Sequence, residues 1–90
     1  MRHLNIKVYG RVQMALFRDS TRRHAIKLGV RGFVRNEPDS FVYIEAEGND
    51  EQLEKFLAWC KNGPILAKVE KVEVEESSEL KNFTKFEAHY

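Results

Sequence analysis

The chain has 90 residues, of which 15 are basic and 14 acidic, so its formal net charge is +1. This length allows one domain with a modest core and excludes a second domain or a long repeat array. Hydrophobic residues make up 42% and charged residues 32%, which is typical of a globular chain. The near-neutral balance is unlike general nucleic-acid-binding domains, whose pI lies above about 9.

A first strand is predicted by the alternation of apolar and polar residues over positions 4–9, and Gly10 is expected to end it. Residues 11–16 read as a loop. A helix follows from Phe17, with an apolar stripe on one side. Gly29 stands where the residue after a helix is often glycine, so the helix is expected to end just before it.

A second strand is predicted over residues 30–35 and a third over residues 41–47. Residues 36–40 between them form a turn by their chemistry, because proline fixes φ and Asn, Asp and Ser side chains bond to nearby backbone. The second and third strands therefore form a hairpin.

The second helix is predicted to begin after Asn49, which with Gln52 resembles a capping box. Cys60 lies on the apolar stripe of this helix, which predicts a buried and unreactive thiol. Residues 62–64, with the sequence Asn-Gly-Pro, stop the helix.

A fourth strand is predicted over residues 69–75, with Val72 and Val74 pointing inward. Val69 is out of parity with them, so a bulge or bend is expected in this strand. The alternating apolar residues at the end of the chain predict a short terminal strand.

The sequence also indicates where the protein works. With a single cysteine, no intrachain disulfide can form, which favours a reducing compartment. The first residues lack the apolar stretch of a signal peptide, and no apolar run approaches the about 20 residues of a membrane span. We expect a cytoplasmic, soluble protein with one domain over residues 1–90 and no membrane partner.

The element order βαββαβ favours an α+β protein with the ferredoxin-like split βαβ fold. This fold is an antiparallel sheet with both helices on one face, here followed by a short C-terminal strand. Right-handed crossovers make the first two strands parallel and place the third between them. The C-terminal ends of the first two strands then lie at the same end of the sheet, so Arg18 and Asn36 are expected to be near neighbours.

The N-terminus of the first helix is expected at the same end of the sheet, where free N–H groups and the helix dipole attract anions. An arginine in this turn is unfavourable for the dipole unless an anion compensates it. The forked guanidinium of Arg18 suits a phosphate group.

Two segments of the chain resemble the signatures of the acylphosphatase family. The first is residues 8–18 (VYGRVQMALFR), and the second is residues 32–36 (GFVRN) with Val42 and Gly48 at the expected offsets. The likeness extends over essentially the whole chain. It implies a ferredoxin-like, monomeric enzyme that hydrolyses acyl phosphates to a carboxylate and inorganic phosphate, without a metal or other cofactor.

The resemblance also implies a role for each matched residue. Arg18 would bind the phosphate as the main cation, and Asn36 would orient the attacking water through its side-chain amide. Backbone N–H groups of one segment would cradle the phosphoryl oxygens, namely those of Gln13, Met14, Ala15, Leu16, Phe17 and Arg18. These roles are chemically reasonable, because phosphoryl transfer depends mainly on positioning and on neutralising oxygen charge.

The chain departs from the family pattern within the cradle and in the hairpin turn. Met14 replaces a glycine, which permits positive φ and close backbone approach, and Ala15 replaces the usual valine. Met14 therefore leaves open a weakly active enzyme, or a non-catalytic phosphate-binding domain of the same fold. Ser40 also stands where the family has glycine, which is expected to affect the stability of the turn.

RNA binding is the alternative from another class, because RRM domains share this fold and carry aromatic residues on the open sheet face. The third strand lacks their pattern of a basic residue, glycine and interleaved aromatics, and Glu45 and Glu47 would repel phosphates. We therefore expect no nucleic-acid partner. The three histidines are scattered without metal-ligand spacing to Cys60, so no metal site is predicted.

Overall fold

A computed structural model describes residues 1–13 and 15–90. Over these residues the chain follows the predicted order of strands and helices. The elements are β1 (Arg2–Arg11), α1 (Ala15–Leu28), β2 (Arg31–Asn36), β3 (Val42–Gly48), α2 (Asp50–Asn62), β4 (Lys68–Ser77) and β5 (Phe86–His89). Helix α1 begins two residues earlier than predicted, which brings Ala15 and Leu16 into its first turn.

The strand order in the sheet is β4-β1-β3-β2-β5. Strand β3 lies between β1 and β2 and is antiparallel to both, so β1 and β2 point the same way, as predicted. Strand β5 pairs with β2 in parallel, which makes the sheet mixed rather than wholly antiparallel. Because of this parallel pairing, the C-terminal ends of β5 and β2 lie at the same end of the sheet.

Both helices pack on one face of the sheet and share a single core with it. The strands contribute every second residue to this core, and the helices add aromatic and aliphatic side chains; members include Leu4, Ile6, Val8, Val34, Ile44, Phe17, Leu53 and Phe56. Cys60 is fully buried here, and its burial raises the pKa of the thiol. The thiol therefore stays neutral, consistent with the predicted unreactive cysteine.

The ends of the helices follow the predicted chemistry. Asn49 and Gln52 form both hydrogen bonds of a capping box, at 2.8 and 2.9 Å, so α2 begins at Asp50. Gly29 follows α1 with a φ of 81°, the left-handed conformation that glycine adopts at low cost. None of the helices in the described part of the chain is long and apolar enough to cross a membrane.

Strands β1 and β4 contain the predicted irregularity. Tyr9 pairs with Lys71 but Gly10 pairs with Val69, so Glu70 is an extra residue on β4. Because of this bulge, β1 continues through Gly10 instead of ending there, and a Cβ at Gly10 would lie only 2.1 Å from a backbone oxygen of β4.

Val74 was predicted to point inward, but its side chain is not buried. Val74 pairs with the buried Ile6, yet it remains 45% exposed. Strand β4 is an edge strand, so Val74 has a neighbouring strand on one side only.

Candidate active site

The first turn of α1 lies directly after the segment that leaves β1. Residues 15–18 supply the first four N–H groups of the helix, which have no acceptor within it and carry the positive end of the helix dipole. No acidic residue lies in this turn to compete for these donors. Met14, also predicted to donate, lies outside the described residues, so its part in the cradle stays a prediction.

Arg18 is held from the side by strand β5 and the residue that follows it. Its Nη1 donates to the carbonyl oxygen of His89 at 2.9 Å, and its guanidinium carbon lies 4.3 Å from the centroid of the Tyr90 ring. Its Nε is buried and has no hydrogen-bond partner among the described residues. The guanidinium is therefore anchored on one edge, with an unpaired donor left over.

Asn36 ends strand β2 with its side chain partly buried. The Oδ1 atom of Asn36 is buried and, within the described part of the chain, accepts no hydrogen bond. His89, which binds Arg18, pairs in register with Arg35, the residue before Asn36. The structure thus brings Arg18 and Asn36 to the same end of the sheet.

The two unpaired atoms differ in kind. The Nε of Arg18 can only donate a hydrogen bond, whereas the Oδ1 of Asn36 can only accept one. Leaving either group buried and unpaired costs about 1–3 kcal/mol. An anion oxygen next to Arg18 and a water next to Asn36 would satisfy both.

Sequence reasoning did not find the residues that hold Arg18. The aromatic character of the C-terminal end was visible, but nothing in the sequence shows which strand β5 joins. The contacts of His89 and Tyr90 with Arg18 follow from the parallel pairing of β5 with β2. In residues 1–13 and 15–90, no three His, Cys, Asp or Glu side chains are grouped so as to hold a metal ion.

The fold and this site define a ferredoxin-like α+β protein whose first helix has its N-terminal N–H groups at one end of the sheet, and comparison with known proteins identifies its family. The family model described as Acylphosphatase matches residues 4–88. The acylphosphatase of Archaeoglobus fulgidus is 48% identical over 97% of each chain, and that of Thiobacillus denitrificans is 47% identical over 86% of each. The crystal structure of acylphosphatase from Bacillus subtilis matches with a TM-score of 0.96 at 37% identity, covering 100% of both chains.

The chain therefore belongs to the acylphosphatase family, and its activity is that of an acylphosphatase. The fold, the family and the enzymatic activity predicted from the two signatures are confirmed. The comparisons support this enzyme and not the non-catalytic alternative that Met14 left open.

Proposed function

We propose that the chain hydrolyses the carboxyl–phosphate bond of small acyl phosphates at the end of the sheet that carries Arg18 and Asn36. The products are a carboxylate and inorganic phosphate. One observation carries this proposal: a buried unpaired donor on Arg18 and a buried unpaired acceptor on Asn36 lie at the same sheet end. These are the groups that a phosphate and an attacking water require.

Arg18 binds the phosphoryl group in this mechanism. Its Nε donates to a phosphoryl oxygen, while its bond to His89 and the ring of Tyr90 hold the guanidinium in place. Backbone N–H groups surround the remaining oxygens; the proposed donors are Gln13, Met14, Ala15, Leu16, Phe17 and Arg18. Donors fixed before the reaction stabilise the developing charge without reorganisation.

Asn36 orients the nucleophile. Its Oδ1 accepts a hydrogen bond from a water molecule, whose oxygen then attacks phosphorus as the bond to the carboxylate oxygen breaks. Both protons of the water remain with the phosphate product as dihydrogen phosphate, and the electron pair of the broken P–O bond leaves on the carboxylate. Since a carboxylate is a good leaving group, no general acid is needed, and a neutral amide does not repel the phosphate.

The positive charge in this mechanism comes from Arg18 and the N-terminus of α1. We therefore propose a reaction that needs no metal or other cofactor. A cytoplasmic monomer without a nucleic-acid partner likewise stays a prediction.

The test is hydrolysis of a small aromatic acyl phosphate, followed by ultraviolet absorbance with and without an excess of chelator. The expected result is turnover at the same rate in both. Complete loss with chelator, restored by a divalent ion, would contradict the cofactor-free mechanism. Protection from heat by inorganic phosphate without any turnover would instead favour a binding domain.

A further inference from the structure

The side chain of Gln13 is exposed, yet both of its N–H groups have partners. Its Nε2 lies 2.6 Å from the carbonyl oxygen of Glu37 and 2.8 Å from that of Phe41. A carboxamide nitrogen has two hydrogens, so one is available for each carbonyl. The side chain is therefore committed to the turn between β2 and β3 and is not available to the phosphate.

Two backbone hydrogen bonds close that turn. The N–H of Glu37 donates to Phe41 at 2.8 Å, and the N–H of Ser40 donates to Glu37 at 3.1 Å. Ser40 has a φ of 66°, a conformation that is unfavourable for any residue with a Cβ. Gln13 thus adds a second hydrogen bond to each of these two carbonyl oxygens, in a turn that contains one strained residue.

The turn begins immediately after Asn36. Asn36 is the last residue of β2 and pairs with Val42, so the position of the turn, together with this pairing, sets where Asn36 lies relative to the segment that contains Gln13. We propose that Gln13 is a positioning residue, whose side chain fixes Asn36 and its water in line with the bound phosphate. This inference rests on the proposed function, because it takes the role of Asn36 from there.

Loss of the two hydrogen bonds from Gln13 to the turn is expected to lower turnover. A misplacement of about 1 Å at a reacting centre can lower the rate by about 10²-fold. The ground-state phosphate is held by Arg18 and backbone N–H groups, none of which uses the Gln13 side chain. Loss of the side-chain amide should therefore lower kcat and leave phosphate affinity nearly unchanged.

Two variants distinguish an effect on kcat from an effect on phosphate affinity. Gln13→Met keeps the length of the side chain and removes both donors, whereas Gln13→Asn keeps the amide but is one methylene shorter. We expect each to lower kcat by about 10-fold, with the inhibition constant of inorganic phosphate within about threefold of the parent. Because Gln13 is exposed, both variants should remain folded, which thermal unfolding monitors.

A double-mutant cycle with Asn36→Ala tests the link itself. If Gln13 acts through Asn36, adding Gln13→Met to Asn36→Ala should lower kcat by less than about twofold further. If Gln13→Met does not fold at the assay temperature, Gln13→Asn takes its place in the cycle.

The opposing outcomes distinguish the Gln13 inference from the proposed function. Multiplying effects in the double mutant, or a rise in the phosphate inhibition constant that matches the fall in kcat, would overturn the positioning role alone. Full turnover of Asn36→Ala by itself would overturn the water-orienting role in the proposed function, and the Gln13 inference with it.

Discussion

Buried polar atoms lie at both ends of the sheet, and the two sets differ in how they are paired. Where β1 begins, the ring of His3 lies between two carboxylates, with Nδ1 2.7 Å from Glu47 and Nε2 3.3 Å from Glu45. The backbone N–H groups of Lys81 and Phe83 donate to Glu47, and the Lys81 ammonium lies 2.7 Å from Glu45. We call these five residues the His3 cluster.

At the other end of the sheet, two buried polar atoms lack a hydrogen-bond partner among the described residues. There Arg18 Nε and Asn36 Oδ1 are buried without a partner in the described part of the chain. In the His3 cluster the protein places a cation or backbone donors beside each carboxylate. Glu45 Oε1 is buried without a well-oriented hydrogen bond in the described residues, but it lies 2.7 Å from the Lys81 ammonium, so the charges of this cluster are compensated within the fold. At the Arg18 end neither atom has a protein partner among the described residues, and the proposed mechanism assigns these atoms to the phosphate and the attacking water.

The largest expected effect is that of Arg18→Ala. The change removes the proposed main phosphate ligand, so kcat/KM should fall by about 10³-fold and inhibition by inorganic phosphate should weaken. The unfolding free energy should change by no more than about 1 kcal/mol, because one hydrogen bond is lost while one unpaired donor disappears. Steady-state kinetics and denaturant unfolding measure both quantities.

The control for this variant is Arg23→Ala, on the same helix. Arg23 is 64% exposed and pairs with Asp19, so its loss should leave turnover and stability nearly unchanged. A large stability loss with near-normal turnover in Arg18→Ala would erase the difference between the two ends of the sheet.

Glu47→Gln should show the reverse pattern at the other end. The amide places donors against His3 and the two backbone N–H groups, so the unfolding free energy should fall by about 2–3 kcal/mol at pH 7. Turnover of the folded protein should stay within about twofold. The exposed Glu87→Gln, which faces Lys85 at 3.6 Å, is the matched control and should cost less than about 0.5 kcal/mol.

Acid titration sharpens this prediction. Burial tends to raise the pKa of Glu47, but the hydrogen bonds from His3, Lys81 and Phe83 outweigh it and lower the pKa. A carboxyl with a lowered pKa stabilises the fold above its unfolded value of about 4.3, and this contribution is lost as the pH falls through the folded pKa. The parent should lose stability more steeply than Glu47→Gln below that pH; parallel curves would contradict the assignment.

Met14→Gly should raise activity by a smaller factor. The family resemblance predicts Met14 in the phosphate cradle, where a Cβ and a flexible side chain would hinder the close backbone approach that glycine permits, so kcat/KM should rise at least about tenfold. The added freedom of the unfolded chain should cost about 0.5–1 kcal/mol of stability. Unchanged or lower activity would show that the segment with Met14 is already competent.

Ser40→Gly should give the smallest change, and in stability alone. Ser40 has a φ of 66°, where glycine avoids a cost of about 1–2 kcal/mol but loses more entropy on folding. The net gain should be about 1 kcal/mol, measured by thermal unfolding, with kcat within about twofold. A destabilised variant would mean that this turn is not strained.

The sequence predicted the parts of the site that depend on element order. Arg18 and Asn36 could be placed at one end of the sheet because the direction of the first two strands follows from right-handed crossovers. The side-chain contacts of Gln13 could not be predicted, since they depend on how a loop approaches a turn distant in sequence.

The His3 cluster was missed for a related reason. Glu45 and Glu47 alternate with core residues, so the sequence suggested carboxylates facing outward, where they would repel phosphates. In the structure both are buried, because an irregular segment covers that part of the outer face and carries Lys81 and Phe83 over it. Such a segment has no hydrophobic period from which its path could be deduced.

Asn36→Ala tests the central claim most directly, because it removes the side-chain amide that carries the unpaired acceptor. The measurement is kcat for an aromatic acyl phosphate together with the inhibition constant of inorganic phosphate, in the parent and the variant. The account predicts that kcat falls by about 10²-fold while the inhibition constant changes by no more than a few fold. Full turnover, or a loss of phosphate binding as large as the loss of turnover, would contradict the separation of a phosphate-binding Arg18 from a water-orienting Asn36.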